Sequence, residues 1–345
     1  MTQLFLQDST VFLNQVIQSP PGVIVGPISV VLGTIINFIY NLVSFMPGAL
    51  GFSIIIMTII VRTALLPTAF TMQRNMMKTR AMQPEMAKIK EKYGDTKDPE
   101  MKRKMTAEMT ALQSKHGVNM LASCLPMLIT WPLFMGLFVV LGQAFMFIGS
   151  VGDAYSAVST VIIAQGNDFL ANVVWPMVQP NVPTGMVINI DVVEDMNRAI
   201  HVFSEYNWAT LFSHFSGAEL ANIQNLYNEK IAVQNFFGIN LVEPSGLWPI
   251  RISSILPVLS AGTMFLAQFL MMRSNPSQDA QQQNIQKITL ILFPVMFGWF
   301  TIQAAAGVGL YWVMLNVYLI VQHYFINKYY VKKDAEKESE AKAKA

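Results

Sequence analysis

Charged residues are scarce in this chain of 345 residues. They make up 13% of it, against about 25% in an ordinary soluble domain. Apolar residues make up 53%, and the mean hydropathy is +0.40. This composition excludes a soluble globular protein. It predicts an all-α integral membrane protein with several transmembrane helices.

Cysteine and early basic residues are also nearly absent. The single cysteine, Cys124, lies in an apolar stretch, which excludes a disulfide framework. The first Lys or Arg of the chain is Arg62. We therefore expect no secretory signal peptide, no lipoprotein anchor and no transit peptide. A bacterial plasma membrane is the expected location.

Residues typical of enzymatic chemistry are scattered. No histidine pair has metal-ligand spacing, and no HExxH, Walker or nucleophile-elbow motif occurs. The histidines are His116, His201, His214 and His323. We expect no catalytic centre, no metal and no cofactor.

One arginine stands inside a long apolar run, and it is the most informative residue of the chain. Arg62 lies within the run 50–70, about 12 Å from its nearer end at 1.5 Å per residue. This distance is too long for the side chain to reach the interface, and an arginine at such depth costs about 2.5–3.5 kcal/mol. No Asp or Glu lies in any predicted span. The sequence therefore predicts a hydrated, cationic pocket around Arg62.

Five apolar segments are long enough to cross a bilayer, which takes about 20 residues. They are 50–71, 120–142, 254–272, 286–304 and 308–328. Because Lys- and Arg-rich loops stay in the cytoplasm, we place 72–117, 273–285 and the tail 329–345 inside. Segment 150–252 has three basic residues among many acids and is placed outside. The N-terminus is then outside and the C-terminus cytoplasmic.

The N-terminal segment 1–49 leaves two interpretations open. Its part 23–46 is long enough to span, but Thr34, Asn37 and Asn41 recur at helical spacing and mark a polar face. We favour an amphipathic helix in the outer interface. The alternative is a sixth span, which would move the N-terminus inside and change no other placement.

Segment 72–117 is predicted to form a helical hairpin. Pro84 suits the first position of one helix, and Asp98-Pro99 suits the start of the second. Each helix has a methionine-rich apolar stripe. The basic side chains would point outward: Lys88, Lys90, Lys92, Lys102, Arg103 and Lys104. The hairpin is either a simple connector or a contact surface for ribosomal RNA, anionic lipid or a nascent apolar segment.

Several strings occur along the chain in a characteristic order. They are Thr58–Pro67, Gln73, Met82–Tyr93, Lys115–Asn119, Cys124–Pro126, Trp131-Pro132, Pro294–Phe297, Gly309–Trp312 and Asn316. With them the chain closely resembles the YidC family of membrane protein insertases, which includes the mitochondrial Oxa and chloroplast Albino proteins. The resemblance covers about 26–149 and 235–330.

The resemblance implies a five-span core around a hydrophilic groove that is open to the cytoplasm and to lipid but closed outside. Arg62 matches the groove arginine, and Gln268 and Trp312 match polar groove positions. The implied substrates are nascent membrane proteins. The implied partners are the translating ribosome, the Sec translocon, the signal recognition particle pathway and membrane lipids.

Two further sets of residues are candidates for contact with substrate. Polar residues that would line the groove are Thr130, Gln143, Thr301 and Gln303. Residues of an apolar path and its entrance are Met72, Met76, Met77, Ile129, Phe134, Phe138, Leu292 and Phe297. Simpler interpretations remain: Gln268 as an interhelical hydrogen-bonding residue and Trp312 as an interfacial aromatic.

The outer loop 150–252 is the main departure from the family, because it is short in five-span relatives. We predict helices near 192–214 and 216–236 in it, and its role stays open. Met120 and the string Ala304–Gly307 also depart from the usual pattern. The competing function is a secondary transporter that binds a small anion at Arg62, but no internal repeat supports it.

Overall fold

A computed structural model describes residues 25–94, 98–118, 120–182, 188–274 and 280–344. Parts of five predicted segments lie outside the described residues: 1–24 of the N-terminal segment, 95–97 of the hairpin, 183–187 of the loop 150–252, 275–279 of the loop after the third span, and 345 of the tail. The side chain of Ile129 also lies outside them.

The described part of the chain is almost entirely helical. The longer helices are α1 Val25–Val43, α2 Ala49–Ala64, α3 Leu66–Tyr93, α4 Pro99–Lys115, α5 Met120–Gly142, α6 Ala144–Phe147, α7 Gly149–Ile163, α8 Asn167–Val178, α9 Val193–His201, α10 Glu205–Phe212, α11 Gly217–Gln234, α12 Ile255–Ser274, α13 Ala280–Gln303 and α14 Ala306–Lys344. Helix α8 contains a π-helical turn, Leu170–Val174. Two short strands, β1 Asn235–Phe236 and β2 Ile239–Asn240, pair antiparallel.

Many of these helices suit a membrane. By length and composition, α1, α12, α13 and α14 can each cross a bilayer, and two bent pairs raise the number in the described residues to as many as six. The pairs are α2 with the start of α3, bent by 53°, and α7 with α8, bent by 102°. The prediction of an all-α, multi-pass integral membrane protein is confirmed.

Helix α1 buries one face and exposes the other. Leu32, Ile36 and Tyr40 are buried, whereas Phe38 and Leu42 are exposed. The side chain of Asn37, from the predicted polar face, accepts a hydrogen bond from the Gly149 backbone at 3.0 Å. One polar residue of α1 therefore packs against protein, and both interpretations of 23–46 stay open.

The first predicted span is broken shortly after Arg62. Helix α2 ends at Ala64, and Pro67 stands in the first turn of α3, where its missing N–H is tolerated. Helix α3 then continues through Pro84 to Tyr93. The prediction that Pro84 begins the first hairpin helix was wrong. The helix continues on both sides of this exposed proline, although the proline nitrogen cannot donate the usual backbone hydrogen bond.

Helices α3 and α4 form a hairpin joined at both ends. Glu108 accepts hydrogen bonds from Lys92 and Tyr93, at 2.6 and 2.8 Å. At the other end, Lys78 donates to the Gly117 carbonyl at 2.7 Å. The Asp98 side chain caps α4, as its sequence predicts.

Contacts divide the chain into two compact units. The first contains the described residues up to Met57 together with Pro132–Pro257 and Phe300–Tyr311. The second contains Thr58–Trp131, Val258–Trp299 and Trp312–Ala345. Several apolar helices contribute residues to both units.

The insertion 150–252 builds much of the core of the first unit. Helices α7, α9 and α11 bury Tyr155, Ile162, Ile200 and Ile223. The stretch predicted as one helix near 192–214 is two helices, α9 and α10. Helices α7 and α8 had no counterpart in the sequence-based prediction.

Candidate functional site

Arg62 lies in the last turn of α2, in the second unit, and is half-buried. Its neighbour Thr63 shares a hydrogen bond with the Tyr318 hydroxyl at 3.0 Å, which joins α2 to α14. Among the described residues, Arg62 itself forms no ion pair or hydrogen bond. Because a guanidinium has five N–H donors, these donors are available to a ligand or to water.

Other polar groups of the second unit connect α12 with α14. Asn316 donates to the Ser260 carbonyl at 3.3 Å and to the Thr263 hydroxyl at 3.1 Å. Sequence reasoning did not assign these three residues a role, although the asparagine stood in a family string. Gln268 is half-buried on the same helix as Ser260.

Trp312 is buried, with 3% of its surface exposed, and its ring meets the Phe297 ring edge-on at 5.2 Å. This contact packs α13 against α14. The burial argues against an interfacial aromatic. The buried Trp312 and half-buried Phe297, predicted as groove and path residues, are therefore direct neighbours.

The remaining apolar path residues lie in both units. Met72, Met76 and Met77 are half-buried on α3, and Leu292 is exposed on α13. In the first unit, the ring centre of half-buried Phe134 lies 6.3 Å from that of Phe138. Phe138 is buried, and its ring also packs against the Phe300 ring. An exposed apolar face of α13 surrounds Leu292. It consists of Ile285, Ile288, Ile291, Val295 and Trp299.

The other predicted groove residues differ in their surroundings. Thr130 is half-buried in the second unit. Gln143 is buried in the first unit, and Thr301 is fully buried beside Gly309, where a Cβ would collide with its methyl group. Gln303 lines a cavity formed mainly by the insertion 150–252. Thr301 therefore packs two helices and does not face open space in this structure.

The predicted basic contact residues lie on the hairpin surface. All are exposed except Lys90, which is half-buried. Lys92 pairs with Glu108 at 2.6 Å, and the hydrogen bond that Lys92 donates to Glu108 raises the pKa of Lys92. Lys104 pairs with Glu100 at 2.9 Å. The cations at 88, 102 and 103 form no salt bridge within the described part of the chain, and they give α3 and α4 an exposed basic surface.

These features define a class: a multi-pass helical membrane protein with a half-buried arginine beside the break between two helices. The described residues contain no cluster of three or more His, Cys, Asp or Glu that could hold a metal ion. Residues 41–193 and 196–334 match the family described as 60Kd inner membrane protein. The chain belongs to this family, and the resemblance to YidC inferred from its sequence is confirmed.

Relatives with assigned names agree with this membership. Membrane protein insertase MisCA of Bacillus subtilis is 26% identical over 286 residues, which is 83% of this chain and 73% of that protein. Membrane protein insertase YidC of Rickettsia bellii is 27% identical over 85% of this chain and 37% of its own length. Membrane protein insertase YidC 1 of Bacillus anthracis is 42% identical over 99 residues.

The match covers only 38% of the Bacillus anthracis protein. All three relatives are named insertases, and nothing in their names supports the small-anion transporter alternative.

Proposed function

We propose that this protein is an insertase that moves nascent membrane proteins from the cytoplasm into the lipid bilayer. The observation that carries the proposal is Arg62: a half-buried cation in an apolar helix, without an ion pair among the described residues. The names of the relatives agree with it. The proposed chemistry is non-covalent and uses no cofactor.

In this mechanism Arg62 attracts the acidic tail of a substrate that must reach the outer side. A cation and an anion attract each other far more strongly inside a membrane protein than in water. Polar side chains and water around Arg62 would shorten the apolar barrier that the tail has to cross. Gln268, Thr130 and Trp312 are the other proposed groove residues of the second unit.

The apolar segment of the substrate provides the driving force. Its burial in lipid releases about 25 cal/mol per Å² of apolar surface. The exposed apolar face of α13 around Leu292 is the proposed path for this segment. The methionines at 72, 76 and 77 would supply a pliable apolar surface near the entrance.

We place the protein in a bacterial plasma membrane with its C-terminus in the cytoplasm and its N-terminus outside. The proposed partners are the translating ribosome, membrane lipids, the Sec translocon and the signal recognition particle pathway. The exposed basic residues of the hairpin support contact with the anionic surface of a ribosome or a membrane.

Substitution of Arg62 tests the proposal. In reconstituted vesicles, Arg62→Glu should reduce insertion of a substrate with an acidic outer tail by about tenfold or more, because attraction becomes repulsion. Arg62→Lys keeps the charge and should retain most activity. Arg74→Glu, at an exposed position of α3, is the control for the change in charge.

Normal insertion by Arg62→Glu would contradict the proposed role of this residue. A photo-crosslinker at position 62 gives a direct measurement: ribosome-bound nascent chains should crosslink to it. An absence of such crosslinks, while the protein remains active, would place the substrate elsewhere.

A further inference from the structure

The first unit contains a partly open cavity of about 500 Å³, lined mainly by the insertion 150–252. Its walls come from α7, from the end of α9 through α10, from α11 and from the chain between β2 and α12, together with the ends of α5 and α13. We call it the Lys230 cavity, after the buried cation in its lining. The other lining residues that matter here are Tyr155, Trp208, Tyr227, Gln234 and Arg251.

Lys230 is held among aromatic rings. Only 4% of its surface is exposed, and its Nζ lies 4.6 Å from the ring centre of Tyr155, 5.1 Å from that of Trp208 and 5.6 Å from that of Tyr227. In the described part of the chain it forms no hydrogen bond or ion pair. The rings stabilise the charge by cation–π attraction, but the N–H donors of a buried ammonium still require acceptors.

A second donor lies one helical turn further along α11. Gln234 is 1% exposed, and its side-chain nitrogen lacks a hydrogen bond although it lies beside the Tyr155 phenol. Residues four apart share one face of a helix. Lys230 and Gln234 therefore present two unsatisfied donors to the same cavity.

The carboxylates of the lining are already engaged with other groups. Arg251 contacts Glu205 at 2.6 Å and Glu243 at 3.9 Å. Glu243 also accepts a hydrogen bond from Asn240 at 2.7 Å. These groups form a polar rim, and neither acid pairs with Lys230. Acceptors for the two donors therefore come from water in the cavity or from a bound molecule that displaces it.

We propose that the Lys230 cavity binds a carboxylate, with the ammonium of Lys230 and the amide of Gln234 donating to its two oxygens. A cavity of about 500 Å³ lies in the range that holds a small organic molecule, so the occupant is larger than a lone inorganic anion. Trp208 and Tyr227 offer aromatic surface to its apolar part.

The occupant is an acidic side chain with apolar neighbours, carried by a polypeptide segment on the outer side of the membrane. This choice of source rests on the proposed insertase function. The preference for a carboxylate does not rest on it, because it follows from the two buried donors alone.

Peptide binding to the full-length protein in nanodiscs of zwitterionic lipid tests the site. The probe is a fluorescent ten-residue peptide with one glutamate among leucines, and its control has glutamine instead. Charge-assisted hydrogen bonds should make the glutamate peptide bind about tenfold more tightly. Lys230→Met should remove this preference. Arg198→Gln, which changes a basic residue that does not line the cavity, should preserve it.

Gln234→Glu provides a second variant that keeps the cavity filled. It places an internal carboxylate one turn from Lys230, so the folded protein should no longer bind the glutamate peptide. Equal binding of the two peptides by the natural protein, or an unchanged preference in Lys230→Met or Gln234→Glu, would overturn the proposal.

Competition with free glutarate separates the two sources of a carboxylate. Weak competition agrees with a polypeptide occupant, whereas binding of glutarate as tight as that of the peptide would overturn this choice. The assay involves no insertion step. A failure of Arg62-dependent insertion therefore leaves its result unchanged, and a failure of peptide binding leaves the proposed function standing.

Discussion

At the scale of single residues, Lys230 shows how burial acts on a cation. Desolvation lowers its pKa to about 8 from the usual 10.5, and the nearby charge of Glu243 only partly opposes this shift. His201, in the same lining, stays neutral at pH 7 because desolvation, and then the charge of Lys230, lowers its pKa to about 4. The cavity thus holds one buried cation beside a neutral imidazole.

The depressed pKa predicts how stability changes with pH. Between pH 8 and 10.5 the unfolded chain keeps the proton of Lys230 and the folded protein loses it, so the contribution of Lys230 to stability rises with pH, in total by about 3 kcal/mol. Across this pH window, the thermal midpoint of the natural protein should therefore rise relative to that of Lys230→Met. Unfolding scans in detergent from pH 7 to 10 measure it.

Several other titratable groups face Lys230 in the cavity. They are Tyr155, His201, Glu205, Tyr227, Glu243 and Arg251. They are present in both proteins, so their own titration largely cancels in the difference. His201, whose pKa the charge of Lys230 lowers, titrates below the measured window. Arg198→Gln serves as a control, because arginine stays charged throughout. A difference that is flat with pH would mean that Lys230 is not a buried cation.

The two notable cations differed in how far the sequence revealed them. Arg62 was predictable because a single charge in an apolar run is conspicuous and its cost is large. Lys230 lies in an ordinary mixed stretch, where only tertiary packing of three aromatic rings from different helices buries it. Thr301 was predicted to line the groove because it is a polar residue in a span. In the structure it fills a close contact between helices beside Gly309.

At the scale of elements, the β1–β2 hairpin is seated on α2. The Phe236 ring lies against Gly51 and meets the Phe52 ring edge-on at 5.4 Å. A Cβ at Gly51 would overlap the Phe236 ring. The glycine is therefore required by close packing and not by the backbone of the helix.

Substitution of this glycine tests the contact. Gly51→Ala should destabilise the protein by about 1–3 kcal/mol through overpacking, although alanine favours helices more than glycine. Gly262→Ala, in α12 with no atom near its added Cβ, should be neutral or stabilising. Thermal unfolding of both variants checks this, and a Gly51→Ala protein as stable as Gly262→Ala would contradict it.

The elements were predictable where apolar runs are long and caps are explicit. The starts of α4 and α5 followed from Asp98-Pro99 and from the apolar run after 119. Helices α7 and α8 were missed because their glycines, serines and polar residues give no continuous signal. The apolar face of α7 is defined by its packing against α6, α9 and α11. The break at Leu65 was missed because a proline two residues later is compatible with a kinked span as well as with a new helix.

At the scale of the whole molecule, the α3–α4 hairpin is held mainly by its own contacts, including Lys92 with Glu108 and His116 with Glu85 at 3.0 Å. Replacing 82–116 by a short Gly–Ser linker should therefore leave the rest of the protein folded. If the hairpin admits substrates, insertion in vesicles should fall by about tenfold or more, on the scale of a lost 1.4 kcal/mol interaction.

A triple Lys102→Gln, Arg103→Gln and Lys104→Gln variant is the matched control for charge, since it keeps the hairpin and removes three of its exposed cations. Its activity should lie between those of the natural and deleted proteins. A stable deletion variant with unaltered insertion would show that the hairpin is only a connector.

For the whole chain, the alternation of apolar segments and basic loops was enough to predict the class of protein. The order of the short strings predicted its family. The division into two units was not predictable, because it depends on which halves of the same helices pack together. The cavity of the insertion was not predictable either, because it depends on how helices from different parts of the chain pack together.

The length of α14 has a mechanical consequence. Its 39 residues extend for about 58 Å at 1.5 Å per residue, while a hydrocarbon core is about 30 Å thick. If it starts near one face of that core, it ends as a rod roughly 25 Å past the opposite face, several screening lengths from the headgroups. The end of the helix would then reach large soluble assemblies, beyond the electrostatic reach of the lipids below it.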